Sequence, residues 1–226
     1  SEMCIRDRLC IGFLGGFAPA ASAAAQAVRT GQLTAEEADA LLPACICSGP
    51  SFVVLTVGQS LLGSAELGVL LFASQITANY LTAALLNRFA GMHSVKPGSA
   101  APAFPAPPRL DEILADAAIT YCKLCGFILF FRMLAAGAGA LLPAGAGTLC
   151  AVLLEVCSGC DLASRTGRWG SLLCCAALSV QGLSVLLQVR TICPPEVSLG
   201  PLLAARVLHL PLSLALFWLV VPGTEQ

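Results

Sequence analysis

Glu155 and Arg206 each stand inside a strongly apolar stretch of the chain. An ionisable side chain there needs a partner, water or a solute. Glu155 lies between Leu154 and Val156, just ahead of Ser158-Gly159. At that place a carboxylate binds a cation, carries a proton or receives a polar solute; a structural ion pair or helix-end contact with Arg206 or Lys123 explains the same residues equally well. Arg206 offers a bidentate fork to an anion, or snorkels toward the membrane surface. Amides mark the same stretches: Gln181, Gln188, Gln59, and Gln75 with Asn79 at i,i+4 spacing. Hydrogen bonding between helices accounts for these as well as a solute path does.

The elements that position these groups are membrane helices. Apolar residues make up 57% of the sequence, charged residues 11%, and the mean hydropathy is +0.84. A soluble domain carries about a quarter charged residues, so this is an integral membrane protein. Residues 65–87 and 199–221 each approach the ~20 apolar residues needed to cross a bilayer, as do 113–136, 141–163 and 171–190. Two of the apolar stretches are interrupted, one at Ser48-Gly49-Pro50 and one at Gln181-Gly182. Unwound backbone in hydrocarbon survives only where protein, water or a solute replaces the lost hydrogen bonds, and paired broken helices are typical of transporters. The plainer alternative is a pair of kinks supported by neighbouring helices.

The chain reads as two similar halves. Leu9 to Val28 is rich in small residues and leads through a polar turn to Thr34-x-x-Glu37, a capping box that opens a helix toward the first break. Gly63-Ser64 then turns into the span 65–87, and Gly91 to Pro108 reads as an extended Pro/Ala-rich linker. The second half repeats the plan: a small-residue segment at 141–163, a polar turn with Arg165, Gly167 and Arg168, a broken span at 171–190 and a final span at 199–221. Ser48 to Gln181 and Glu66 to Leu199 share a separation of 133 positions. Helix 113–136 has no counterpart in the first half. The opening SEMCIRDR resembles translated sequencing-adapter read-through, so native sequence is expected to begin near Leu9, with upstream helices missing. The division expected is residues 1–8 non-native, 9–88 a first repeat truncated at its N-terminus, 89–110 a linker, and 111–226 an additional helix plus a second repeat.

Topology turns on segments 9–28 and 141–163. If both cross, Arg29, Arg88, Lys96, Arg109, Arg165 and Arg168 share one face and leave Arg132 and Arg190 opposite, as a positive-inside pattern prefers. If both re-enter as hairpins, the halves become inverted repeats. Gly12, Gly15, Gly16 and Pro19 suit a short hairpin, and re-entry is the reading adopted, with the linker cytoplasmic in either case.

Cysteine chemistry is not expected despite twelve cysteines. The pairs Cys122/Cys125 and Cys157/Cys160 lie in or beside apolar spans, where a thiolate is costly, and Cys45, Cys47, Cys150, Cys174 and Cys175 suit close helix packing. No metal or other cofactor is therefore expected. The two histidines, His93 and His209, fall in unrelated contexts, and no hydrolytic triad or metal set has useful spacing, so the chain is not read as an enzyme. A net charge of −1 without a basic block gives no support to nucleic-acid binding.

Four stretches in order carry a family resemblance: GFLGGFAPAASAAAQAVRTGQLTAEEADALLPACICSGPSFVV, LLEVCSGCDLASR, LSVQGLSVLLQV and LLAARVLHLPL. They resemble the sporulation integral membrane protein family YlbJ, whose members contain nucleoside-recognition gate repeats. The likeness covers nearly everything after Leu9. Its most specific parts are the glycine hairpin leading to the E-E-A helix and SGP, the Leu-Glu-x-x-x-Gly segment at Glu155, and Gln181-Gly182 through Gln188 with Ala205-Arg206. One departure is Ala18, where a family-like proline directly follows the Gly-aromatic pair; here Pro19 comes one position later.

The resemblance implies an all-α polytopic membrane bundle with two inverted gate-type repeats, containing broken helices and re-entrant hairpins, similar to concentrative nucleoside transporters. It implies transport of dipicolinate across the outer forespore membrane of a sporulating bacterium. The alternatives are a non-transporting assembly or scaffold protein for sporulation, and a nucleoside transporter. Expected pathway residues are Gly15, Gly16, Ser48, Gly49, Pro50, Asn79, Glu155, Ser158, Gly159, Gln181, Gly182, Gln188 and Arg206. Helix N-termini at Pro50 and Gly182, with Arg206, suit the dianion, while Glu155 is expected to couple a proton or cation. Expected partners are the lipid bilayer, a small anionic solute, the coupling proton or cation, and further copies of the chain or other sporulation membrane proteins.

Overall fold

The computed structural model describes residues 12–89 and 109–221. The expected non-native residues 1–8 and most of the linker 89–110 lie outside them. The described residues form helices and turns with no strand. Four helices are long and apolar enough to cross a membrane: Ala65–Leu86, Ile113–Leu141, Gly167–Ile192 and Gly200–Val220. The chain is accordingly a multi-pass membrane protein.

A helical turn over 12–15 is bent at Gly16 into α1 (Phe17–Arg29). Six buried alanines line α1, so its backbone approaches its neighbours closely. The capping box forms as the sequence predicts and opens α2 (Ala35–Cys45): the Thr34 hydroxyl accepts the Glu37 N–H at 3.1 Å, and the Thr34 N–H donates to Glu37 Oε2 at 2.8 Å. After the break, α3 (Ser51–Leu61) winds as a π-helix, closing with the Leu62 N–H on the Val57 carbonyl at 3.0 Å. It crosses α4 (Ala65–Phe89) through facing glycines, Gly58 and Gly68.

In the second half, α5 (Leu110–Leu141) packs on α6 (Ala144–Leu154) and on the helix Gly182–Ile192. The segment 141–163, read from the sequence as a hairpin, doubles back on itself at Glu155 into α6 and α7 (Val156–Ser164). A Cβ at Gly159 would lie 2.8 Å from the Val152 Cα, a closeness that a continuous helix, rising 1.5 Å per residue, does not bring to residues seven apart. After a short 3₁₀ turn, α8 (Gly170–Val180) and α9 (Gly182–Ile192) meet at Gln181, and α10 (Gly200–Val220) ends the described chain.

The halves pack reciprocally. The long helices α4 and α10 lie against each other, α1 packs on α9, and α7 packs on α3. Two further bonds join the halves: the Ser198 N–H donates to Asp39 Oδ1 at 2.8 Å, and Arg29 Nη2 to the Ile192 carbonyl at 3.4 Å.

The α3–α4 crossing should be intolerant of volume, because a Cβ at Gly58 would sit 2.7 Å from the Gly68 nitrogen. Gly58→Val is expected to cost about 3 kcal/mol of stability, whereas Gly126→Ala, with open space around it, should be neutral or stabilising. Thermal unfolding of the two purified variants in one detergent checks this.

Candidate functional site

Each helix break is seated on the tip of a hairpin from its own half. In the first half, Gly16 has φ 81°, a conformation that a side chain disfavours. A Cβ there would lie 3.0 Å from the Gly49 nitrogen. In the second half, Gln181 and Gly182 have φ 62° and 72°, and a Cβ at Gly182 would lie 3.0 Å from the Glu155 nitrogen and the Leu154 carbonyl oxygen. Gln181 is the one non-glycine residue with positive φ among the described residues. Such strain is kept where the surroundings over-determine it, often at functional sites.

Glu155 is fully buried and caps α7. Its Oε1 accepts the Cys157 N–H at 2.8 Å, and its Oε2 accepts the Ser158 N–H at 2.7 Å and the Ser158 hydroxyl at 2.9 Å. The sequence offered Arg206 or Lys123 as partners; among the described residues no ion pair joins Glu155 to either. The reason is local: the break leaves the first N–H groups of α7 without acceptors, and a carboxylate one residue before the helix satisfies two of them.

Arg206 is buried instead against the first break. Its Nη2 donates to the Ile46 carbonyl, where α2 ends, and its Nη1 approaches Asn79 Oδ1 at 3.4 Å; Asn79 Nδ2 also donates to the Ile46 carbonyl, at 3.3 Å. The bidentate fork expected to face an anion is thus turned onto backbone and an amide. Its Nε has no hydrogen-bond partner among the described residues, and no carboxylate there pairs with the guanidinium.

A second polar group lies between α4, α8 and α10. Gln75 Nε2 donates to the Cys175 carbonyl at 3.1 Å and to Ser179 Oγ at 3.0 Å, and the hydroxyls of Ser179 and Ser213 are in contact. His209 Nε2 lies 3.0 Å from the Gln75 carbonyl. A carbonyl only accepts, so Nε2 carries the proton and Nδ1 is left as an acceptor, buried and without a partner among the described residues.

Of the expected residues, the structure joins Gly16 to Gly49, Glu155 to Gly182 and to Ser158, and Asn79 to Arg206. Ser48 sits half-buried within the first break and Pro50 precedes α3. Gly15 lies against Pro19, and Gly159 serves hairpin packing against Val152. Gln188 does not join the breaks: its Nε2 donates to Ser184 at 2.9 Å, and it lines a separate cleft. The sequence reading does not include Ser179, Ser213 or the Ile46 carbonyl, and it assigns His209 to no site. Their signal was spacing alone: His209 and Ser213 are four apart on α10, as Gln75 and Asn79 are on α4.

Comparison of the chain with family models, with curated proteins and with solved structures found no match.

Chemically, the arrangement is a buried polar seam. It holds one unpaired guanidinium, neutral donors and acceptors, and two unwound backbone segments. Gln181 Oε1 and Thr82 Oγ1 are also buried without partners among the described residues.

Replacing Glu155 with Leu should remove the α7 cap and destabilise the fold by about 1–3 kcal/mol. Glu155→Gln, which keeps an acceptor oxygen, should lose less than half as much in the same unfolding assay. For Arg206→Met and Asn79→Leu, which act on one carbonyl, a double-mutant cycle should return a coupling of about 0.5–3 kcal/mol rather than additivity.

Proposed function

We propose that this protein is a membrane transporter of a small solute, with the passage at the two helix breaks. The observation that carries the reading is a set of buried polar atoms without partners among the described residues, on Gln181, Arg206, His209 and Thr82, in a membrane bundle whose backbone is unwound at two places. Each such atom costs about 1–3 kcal/mol, a cost that persists when polar groups serve passage. The reciprocal packing of α1 on α9 and α7 on α3, with a hairpin at each break, supports two inverted gate-type repeats.

The family resemblance points to dipicolinate as the solute and to the outer forespore membrane as the place. Arg206, which no carboxylate among the described residues pairs, and the N-terminus of α9, which has no side-chain cap, suit an anion. Glu155 enters as the fixed cap of the second hairpin, and coupling to a proton or cation is not assigned to it. One observation favours the scaffold reading: Glu155 bonds to Ser158 and to backbone, and Gln75, Ser179 and Ser213 bond among themselves and to backbone, as purely structural networks do.

Uptake of labelled dipicolinate and uridine into proteoliposomes decides between these readings. Dipicolinate uptake should be saturable and should fall at least tenfold in Arg206→Gln and Gln181→Leu, both checked for retained folding. A tenfold loss corresponds to about 1.4 kcal/mol. Uridine uptake alone would reassign the protein to nucleosides, and uptake of neither would favour the scaffold.

A further inference from the structure

Away from the breaks, α1, α5 and α9 enclose a cleft of about 830 Å³. Its wall includes Gln188, 2% exposed, whose Nε2 is taken by Ser184 and whose Oε1 has no partner among the described residues. That oxygen calls for an O–H or N–H donor from a ligand. Arg29, Lys123 and Asp116 also line the cleft. Arg29 ends α1, where the helix dipole is negative and the chain leaves for a polar turn, which sets this end of the cleft at the membrane surface. Leu124 and Phe127 line it toward the middle of the Ile113–Leu141 span.

Two cations against one carboxylate leave a single net positive charge, which matches a phosphodiester. The second charge of a phosphate monoester would face Asp116. The Lys123 ammonium, on its flexible stem, reaches outward from within the span toward a headgroup. Basic pockets between membrane helices hold anionic headgroups in this way, and the apolar depth of the cleft accommodates acyl chain.

We propose that this cleft binds an anionic phosphodiester whose headgroup carries hydroxyls, of the phosphoglycerol kind. Arg29 and Lys123 hold the phosphate, a headgroup hydroxyl donates to Gln188 Oε1, and Leu124 and Phe127 contact the attached chain. This site is separate from the breaks, and its test does not depend on transport.

The experiment titrates the purified chain in detergent with dioleoyl phosphatidylglycerol, phosphatidylcholine and phosphatidate, and with soluble glycerophosphoglycerol, reading bound ligand by native mass spectrometry. Phosphatidylglycerol should bind about tenfold tighter than the other two lipids, as expected for one charge-assisted hydrogen bond. Arg29→Gln should remove about that factor, Gln188→Leu should reduce the preference over phosphatidylcholine, and Asp116→Asn should narrow the gap to phosphatidate. Glycerophosphoglycerol binding as tightly as the lipid would support the same chemistry with a soluble ligand as its source. Equal binding of phosphatidylglycerol and phosphatidylcholine, or binding unaffected in both Arg29→Gln and Gln188→Leu, would overturn the proposal.

Discussion

The structure depends on how backbone groups freed by broken helices are satisfied where water is scarce. A helix that stops in the middle of an apolar bundle exposes carbonyls at one end and N–H groups at the other. Here the Ile46 carbonyl takes donors from Arg206 and Asn79, and the first N–H groups of α7 take the Glu155 carboxylate. Side chains from distant parts of the sequence, α4 and α10, are therefore fixed by the end of α2. The polar seam is a consequence of the breaks.

The breaks in turn require glycine. Gly16 lies against Gly49, and Gly182 against Leu154 and Glu155, at separations that leave no room for a side chain. The small-residue hairpins let backbone meet backbone, so that unwound segments support each other instead of facing lipid. The same close packing explains the alanine face of α1 and the buried cysteines of α2 and α8, which fill narrow gaps as small hydrophobes.

Much of the element plan was legible. The Thr34–Glu37 capping box, the break at Gln181-Gly182 and the apolar span 199–221 follow from composition and local chemistry, and each is present. That 141–163 folds back was the reading adopted, but the position of its turn at Glu155 was less legible, because nothing local marks it until the carboxylate is seen capping the returning helix. The partners of Arg206 were not legible at all. Which groups meet across 127 or 160 positions depends on the helix–helix packing, and periodicity does not carry that information. His209 illustrates the limit: a lone histidine in an apolar helix gives no sign that a backbone carbonyl of α4 accepts a hydrogen bond from its ring.

Amide hydrogen exchange of the protein in nanodiscs tests the central claim most directly. The account predicts that the amides at the breaks, on Gly49, Ser51 and residues 182–184, exchange while those of the middle of α10, on His209, Leu210, Leu212 and Ser213, stay protected, and that a transported solute slows exchange at the breaks alone. Protection at 182–184 equal to that of mid-α10, unchanged by any solute, would contradict a passage at the breaks and leave them as static packing joints.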